Sequence, residues 1–270
     1  MESYCLFTSK AEASRKRGVV MIKSSAKWQG LSSNALKIIA AISMLIDHIG
    51  VILLPHVVIL RILGRLAFPI FAFMIAEGCA KTRNKLRYFL SVFLLGAACQ
   101  VVYCLYDDEL YLCILITFSL SILLVYALQA LKNALLDDTV SSGRQLAAAL
   151  VFLLLLAGVY VLNLYLTIDY GFWGCLLPVF ASVFRQPAAN APTFERLDRL
   201  GVHVISFGVG LAILSYVHGG VQPYSLCALP LLALYSGKRG AWNIKWFFYI
   251  FYPVHLAALE LLAMLIALGA

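Results

Sequence analysis

Charge is scarce in this sequence. Asp, Glu, Lys and Arg make up 13% of its 270 residues, 63% are hydrophobic, and the mean hydropathy is +0.91. That is too little polar side chain to clothe a water-soluble globule of this length. An ordinary cytosolic enzyme is excluded, and a nucleic-acid-binding protein with it. The seven cysteines (5, 79, 99, 104, 113, 175, 227) include no CxxC and no Cys/His ligand spacing. No metal site is expected, and the thiols read as small, buried, unpaired hydrophobes. The first 30 residues are polar and basic and lack an apolar run ahead of a small-residue cleavage site. The first hydrophobic helix is therefore expected to direct membrane insertion itself. The longest linker, residues 185–200 (RQPAANAPTFERLDRL), is too small for a soluble domain. Any chemistry belongs to the membrane bundle or its mouths.

What is present is a succession of apolar stretches, most of them near the roughly 17–25 residues that cross a hydrocarbon core. Nine are expected: 36–54, 59–78, 88–106, 111–131, 146–166, 171–184, 201–217, 223–235 and 246–268. The sixth and eighth are short and carry Pro178 and Pro230, so each reads as a half-helix or re-entrant element as readily as a full crossing. The predicted fold class is an all-α polytopic transmembrane bundle, with a basic segment over residues 1–35 and the bundle over 36–270.

The charges orient it. Placing the N-terminus in the cytoplasm puts every one of the 21 Lys and Arg residues except Lys37, Arg61 and Arg65 into cytoplasmic segments. The opposite loops hold no Lys or Arg, and instead carry Asp107, Asp108, Glu109 and Asp169. This is the positive-inside pattern at every loop. A multi-pass protein of a bacterial inner or cytoplasmic membrane is expected, with membrane lipid as its surroundings.

Ionisable side chains inside a bilayer are costly and mark function by default. Here they are Lys37, Asp47 and His48 on the first span, Arg61, Arg65 and Glu77 on the second, and His255 and Glu260 on the ninth. From the helical rise, His48 lies about 18 Å from the cytoplasmic start of its helix and Arg65 about 9 Å from the outer face. His255 and Glu260 lie about 14 and 21 Å in. The four are thus expected to meet near or just outside the midplane. Lys37 and His48, close to three turns apart, share a helix face over about 16 Å. Asp47 points about 100° away from His48, so a partner on another helix, such as Arg65, is as suitable for it as the imidazole. Pro69 is expected to bend the second span just past Arg65. Glu77 sits within reach of Lys37. His255 follows Tyr252 and Pro253, where a freed carbonyl is a natural partner.

The runs LKIIAAISMLIDHIG (36–50) and LRILGRLAFPIFAFMIAEG (60–78) with KTRN (81–84) resemble the opening of the TraX family, membrane proteins associated with N-terminal acetylation of conjugative pilin. DYGFWGCLLP (169–178), YSGKRG and FFYIFYPVHL (247–256) are similar to its middle and end. The Lys37-x10-His48 spacing also resembles the basic-x10-His element of integral-membrane acyltransferases that use cytosolic acyl-CoA. The resemblance implies a transmembrane acetyl transfer with acetyl-CoA as co-substrate. Lys37, Lys81, Arg83, Lys85 and Arg87 would form the basic mouth for its phosphates. His48 would act as general base, Arg65 would stabilise the developing oxyanion, and His255 would be a second proton carrier or acceptor-binding group. Asp47 and Glu77 would tune these cations. The acceptor, a peptide or pilin N-terminus, a small amine or a hydroxyl, would enter from the outer face. The competing classes are a proton-coupled transporter built on the same buried charges and a non-catalytic assembly partner.

Overall fold

Ser32 starts the first helix. Its Oγ accepts from the Ala35 N–H at 3.2 Å, satisfying one orphan donor of the first turn. The next two N–H groups go to a distant strap: Ser33 N–H donates to Lys238 O at 2.8 Å and Asn34 N–H to Arg239 O at 3.2 Å. The computed structural model describes residues 30–106, 111–188, 191–242 and 244–269. All elements below lie in the compact unit beginning at Leu31. The expectations for residues 1–29, including most of the basic segment, and for Asp107, Asp108 and Glu109 lie outside the described residues.

The helices are α1 (Ser33–Ile52), α2 (Val58–Gly64), α3 (Ala67–Lys81), α4 (Lys85–Tyr106), α5 (Ile114–Leu136), α6 (Ser142–Tyr165), α7 (Gly171–Ser182), α8 (Pro192–Leu197), α9 (Leu200–His218), α10 (Ala228–Ala233) and α11 (Lys245–Gly269). A 3-10 turn, Gln222–Cys227, precedes α10. Two short strands, β1 (Tyr111–Leu112) and β2 (Thr167–Ile168), pair in parallel, Tyr111 with Thr167 and Leu112 with Ile168. The fold is an all-α bundle. Among the described residues six helical stretches are long and apolar enough to cross a membrane: 33–52, 58–81 (α2 with α3), 114–136, 142–165, 200–218 and 247–268.

α3 is the hub. It packs against α1, α4, α5, α7 and α10, and most of its side chains are buried. Phe73 at its centre meets Phe207 of α9 edge to face, centroids 5.4 Å apart, in a core shared with Ile70, Ile122, Leu177, Leu211 and Leu232. α6 is the opposite case: only Val159 is buried, and Leu, Val and Tyr side chains make up most of its exposed surface. A helix apolar all round with its side chains facing outward suits lipid as solvent.

Three expected spans are not single full-length helices, and the sixth and eighth take the short form that Pro178 and Pro230 left open. The second is broken between Gly64 and Ala67. Pro69 has no N–H for the Arg65 carbonyl, and its ring crowds that carbonyl. The Leu63 and Gly64 carbonyls at the break accept from Ser43 Oγ at 2.6 and 3.1 Å. The sixth span is a 12-residue helix, α7, about 18 Å long and buried among α3, α5 and α9. The eighth is two short pieces, the 3-10 turn and α10, rather than one helix. They carry the chain from the level of Arg65 to Tyr235, beside Lys81. The strap then returns to α1, with Leu31 N–H donating to Leu234 O and Ser236 N–H to Leu31 O at 2.7 and 2.8 Å.

Two residues read as topology-setting cations are built into the fold. Lys132 is 8% exposed. Its Nζ donates to the carbonyls of Ser182, Val183 and Arg185 and lies over the Phe194 ring at 4.4 Å, closing the end of α7. Arg185 pairs with Glu77. Of the thiols, Cys79, Cys99, Cys113 and Cys175 are free and buried as expected, whereas Cys227 is free but exposed.

Candidate functional site

A cavity of about 1430 Å3 runs along the face that α1 presents to α3, α4 and α11. Lys37, Asp47 and His48 all line it, together with Arg61, Arg65, Glu77 and Glu260. One end is basic, with Lys37, Lys81, Arg83, Arg87 and Arg239. The other end is bounded by Asp169, Tyr170, His218 and Gln222. Between them the wall is largely apolar, with Met44, Phe71, Met74 and Leu95.

At mid-cavity α11 brings His255 to His48. His48 Nδ1 is 2.7 Å from His255 Nε2, too close for face-to-face contact. The ring centroids are 4.9 Å apart with 21° between planes, a nearly coplanar edge-to-edge pair. His255 Nδ1 is 2.7 Å from the Phe251 carbonyl, four residues back on the same helix, and a carbonyl only accepts. Nδ1 of His255 therefore carries the hydrogen, and in the neutral ring Nε2 is the acceptor. The hydrogen between the rings then belongs to His48 Nδ1, and the lone pair of His48 is left on Nε2. Among the described residues no protein group bonds that nitrogen. His255, 6% exposed, is held flat by Phe251, whose ring lies 4.7 Å away at 9°.

Asp47 faces the other way, as its position one residue from His48 requires. Its carboxylate takes Arg61 Nη1 at 2.7 Å and Arg65 Nη2 at 2.7 Å to both oxygens. Gly64 makes this possible: a Cβ there would stand 2.3 Å from Asp47 Cβ, so only glycine lets α2 lie this close to α1. The rest of Arg65 is also engaged. Nε donates to Arg61 O at 3.3 Å, and Nη1 makes long contacts with Gln222 Oε1 at 3.3 Å and Tyr170 Oη at 3.4 Å. The Asp47–Arg65 pairing that the sequence offers as an alternative is thus formed, and the guanidinium that the resemblance casts as oxyanion donor is largely occupied by protein groups.

At the far end Asp169 is partly exposed on the cavity wall. Burial pushes its carboxyl up to about 6 against the opposing Tyr111 hydrogen bond and the Arg65 charge. The Thr117 hydroxyl holds its backbone carbonyl at 2.9 Å.

The basic end is selective about its cations. Asn84 caps α4, accepting from Arg87 N–H at 2.9 Å, and so fixes the turn that carries Arg83 and Arg87. Lys85 lies away from the cavity, its Nζ 5.2 Å above the Tyr126 ring. Lys81 is tied to Glu77 at 2.7 Å, Tyr235 Oη at 3.0 Å and Gly237 O at 2.6 Å. Glu77 was expected beside Lys37; instead it joins Lys81, Arg185 and Tyr235. The cavity residues that sequence reasoning missed include Arg239 at the basic end and Tyr170 and Gln222 at the other. In the sequence Arg239 simply follows the positive-inside pattern, and Gln222 carries no charge or motif that marks it. Only the position of Tyr170 in the DYGFWG run signalled more. Glu260 lines the cavity but has an exposed side chain. Among the described residues no group of three or more His, Cys, Asp and Glu is placed to hold a metal ion.

The fold and cavity define a multi-pass α-helical membrane protein with an ionisable site inside its bundle. Residues 32–263 match the family model described as TraX protein, and the chain belongs to that family. It is 27% identical over 239 residues to the probable fimbrial assembly protein FimC, serogroup H1, of Dichelobacter nodosus, covering 84% of this chain and 94% of that protein. It is 42% identical over 55 residues to an uncharacterized protein of Rickettsia prowazekii (strain Madrid E), covering 20% of this chain and 21% of the relative. No solved structure matches.

Proposed function

We propose that this protein is an integral-membrane acyltransferase that moves an acetyl group from cytosolic acetyl-CoA to an amine or hydroxyl presented from the far side of the membrane. The observation that carries the reading is the one-sided bonding of His48. His255, itself fixed by the Phe251 carbonyl, takes the Nδ1–H and leaves Nε2 without a protein partner among the described residues, on a side chain that lines a cavity whose one end is basic. A base with its tautomer fixed by a second group is the arrangement that proton abstraction requires.

The donor side fits acetyl-CoA as substrate. Lys37, Arg83, Arg87 and Arg239 at the basic end suit its phosphates, and the apolar stretch between suits a thin, uncharged arm. His48 Nε2 takes a proton from the acceptor as its nitrogen or oxygen attacks the thioester carbonyl carbon. The C–O π pair moves to oxygen and then returns, the C–S bond breaks, and the departing thiolate takes the proton from the His48 imidazolium. The products are the acetylated acceptor and CoA thiol. His255, by accepting from Nδ1, stabilises the imidazolium between the two transfers. Asp47 holds Arg61 and Arg65 and balances their charge. The fimbrial assembly description of the Dichelobacter nodosus relative supports a pilin-type subunit as acceptor.

The broken second span and the divided eighth are features that a proton-coupled transporter would share. Release of CoA thiol from acetyl-CoA by the purified protein, driven by an acceptor and lost in His48→Ala, is the expected result. No CoA release with any acceptor extract, together with acceptor-free uptake in sealed proteoliposomes, would move the assignment to transport.

A further inference from the structure

Gln222 is 4% exposed, yet its amide is used on one side only. A guanidinium offers donors alone, so the Arg65 contact at 3.3 Å turns Oε1 toward Arg65 and the NH2 away from it. That Nε2 is buried and has no hydrogen-bond partner among the described residues, while the residue lines the cavity. Native proteins rarely leave a buried donor unmatched, and one that is unmatched calls for an explanation. Tyr170 repeats the pattern at the same guanidinium nitrogen, Nη1. Its Oη accepts from Arg65 Nη1 at 3.4 Å, which directs the hydroxyl hydrogen elsewhere. Its ring is fixed by stacking on Phe68, centroids 3.7 Å apart at 6°. Burial pushes the phenol up, so it keeps its proton.

Arg65 itself is poorly placed to receive a negative charge, because its Nη2 already faces both oxygens of Asp47 at 2.7 Å. Its Nη1 instead touches two neutral groups that carry hydrogens of their own. We infer that Gln222 Nε2–H and Tyr170 Oη–H form the oxyanion site of this cavity, with Arg65 as the positioning residue that orients both. The inference rests on the acetyl-transfer reading. As the acceptor attacks, the carbonyl π pair moves onto the acyl oxygen, and these two donors hold it until the pair returns and the C–S bond breaks. Donors fixed before the charge develops need no reorganisation when it appears, and polarisation by Arg65 strengthens each.

The test uses the purified full-length protein and acetyl-CoA labelled with 13C at the thioester carbonyl. Without acceptor, wild-type protein is expected to shift the labelled carbonyl stretch to lower wavenumber, and Gln222→Glu and Tyr170→Phe to abolish most of that shift. With acceptor, Gln222→Glu is expected to lose roughly 10²–10³-fold in kcat, with little change in KM for acetyl-CoA. Gln222→Met, of similar shape and without donors, provides the second variant if the glutamate disturbs folding. Variants that turn over at the wild-type rate, that lose only in KM, or that keep the wild-type carbonyl band overturn the oxyanion assignment and leave acetyl transfer standing. A wild-type protein that releases no CoA thiol overturns both.

Discussion

His48 Nδ1 stands 2.7 Å from His255 Nε2, so the first and last helices of the bundle meet through a hydrogen bond between two imidazoles. The chemical asymmetry of that bond comes from the backbone. Because the Phe251 carbonyl accepts from His255 Nδ1, the order donor to acceptor runs from His48 to His255 to main chain, and one ring nitrogen of the pair is left for a ligand. The two histidines thereby differ: both ring nitrogens of His255 are engaged, whereas His48 keeps Nε2 without a protein partner among the described residues.

Replacing each should separate the roles proposed for them. His48→Ala is expected to lower kcat by roughly 10²–10⁴-fold, the usual contribution of a positioned base. His255→Ala removes one hydrogen bond to a group that becomes charged, worth about 1.5–3 kcal/mol and so roughly 10–150-fold. The double variant should be little worse than His48→Ala, because the two act as a unit. Steady-state acetyl transfer checks this; multiplicative losses in the double variant would show that the histidines act independently.

The bundle class and the cavity-facing side of α1 were legible because each depends on local pattern. Apolar run length marks a span, and the spacing of Lys37 and His48 is that of one helix face; both line the cavity. What was not legible depends on tertiary contact. Lys132 and Arg185 follow the positive-inside pattern whether they are solvated or buried against carbonyls and Glu77. Nothing local distinguishes the Arg239 that lines the cavity from the Lys85 that lies on Tyr126. The break beside Arg65 was legible in part, since Pro69 announces a bend but not the Ser43 hydroxyl that satisfies it.

The approach of α2 to α1 gives a test independent of any activity. A Cβ on residue 64 would lie 2.2 Å from Asp47 Oδ1, so Gly64→Ala must push the helices apart and strain the Asp47–Arg65 pair. Overpacking of this kind costs about 1–3 kcal/mol. Gly158→Ala on α6 is the control, since nothing lies within 4 Å of a Cβ there. Thermal unfolding in detergent should show a clear drop for the first variant and none for the second. Equal midpoints would mean that the two helices do not pack this closely.

At the basic end, cations that line the cavity should differ from those that do not. Arg239→Ala and Lys37→Ala are expected to raise KM for acetyl-CoA by roughly tenfold each, the loss of a charge-assisted contact to phosphate. Lys85→Ala should leave KM unchanged, because its ammonium sits over Tyr126. A Lys85→Ala variant as impaired as Arg239→Ala would show that the phosphates bind outside the cavity mouth described here.

Asp169 predicts a pH dependence of stability. In the fold, burial holds its carboxyl up to about 6, against an ordinary value of 3.8. Below 3.8 the folded and unfolded chains both keep this proton, and it has no effect on stability. Between 3.8 and about 6 the unfolded chain has lost the proton while the folded chain retains it, so rising pH favours unfolding. Above about 6 both forms are ionised and the penalty stays constant. Asp169→Asn removes the titration: its thermal midpoint should match that of the parent at the acid end of the window and exceed it progressively toward neutral pH. Midpoints measured in one detergent across that range decide the matter, and a difference between the two proteins that does not grow with pH would show that the Asp169 carboxyl ionises as freely in the fold as in the unfolded chain.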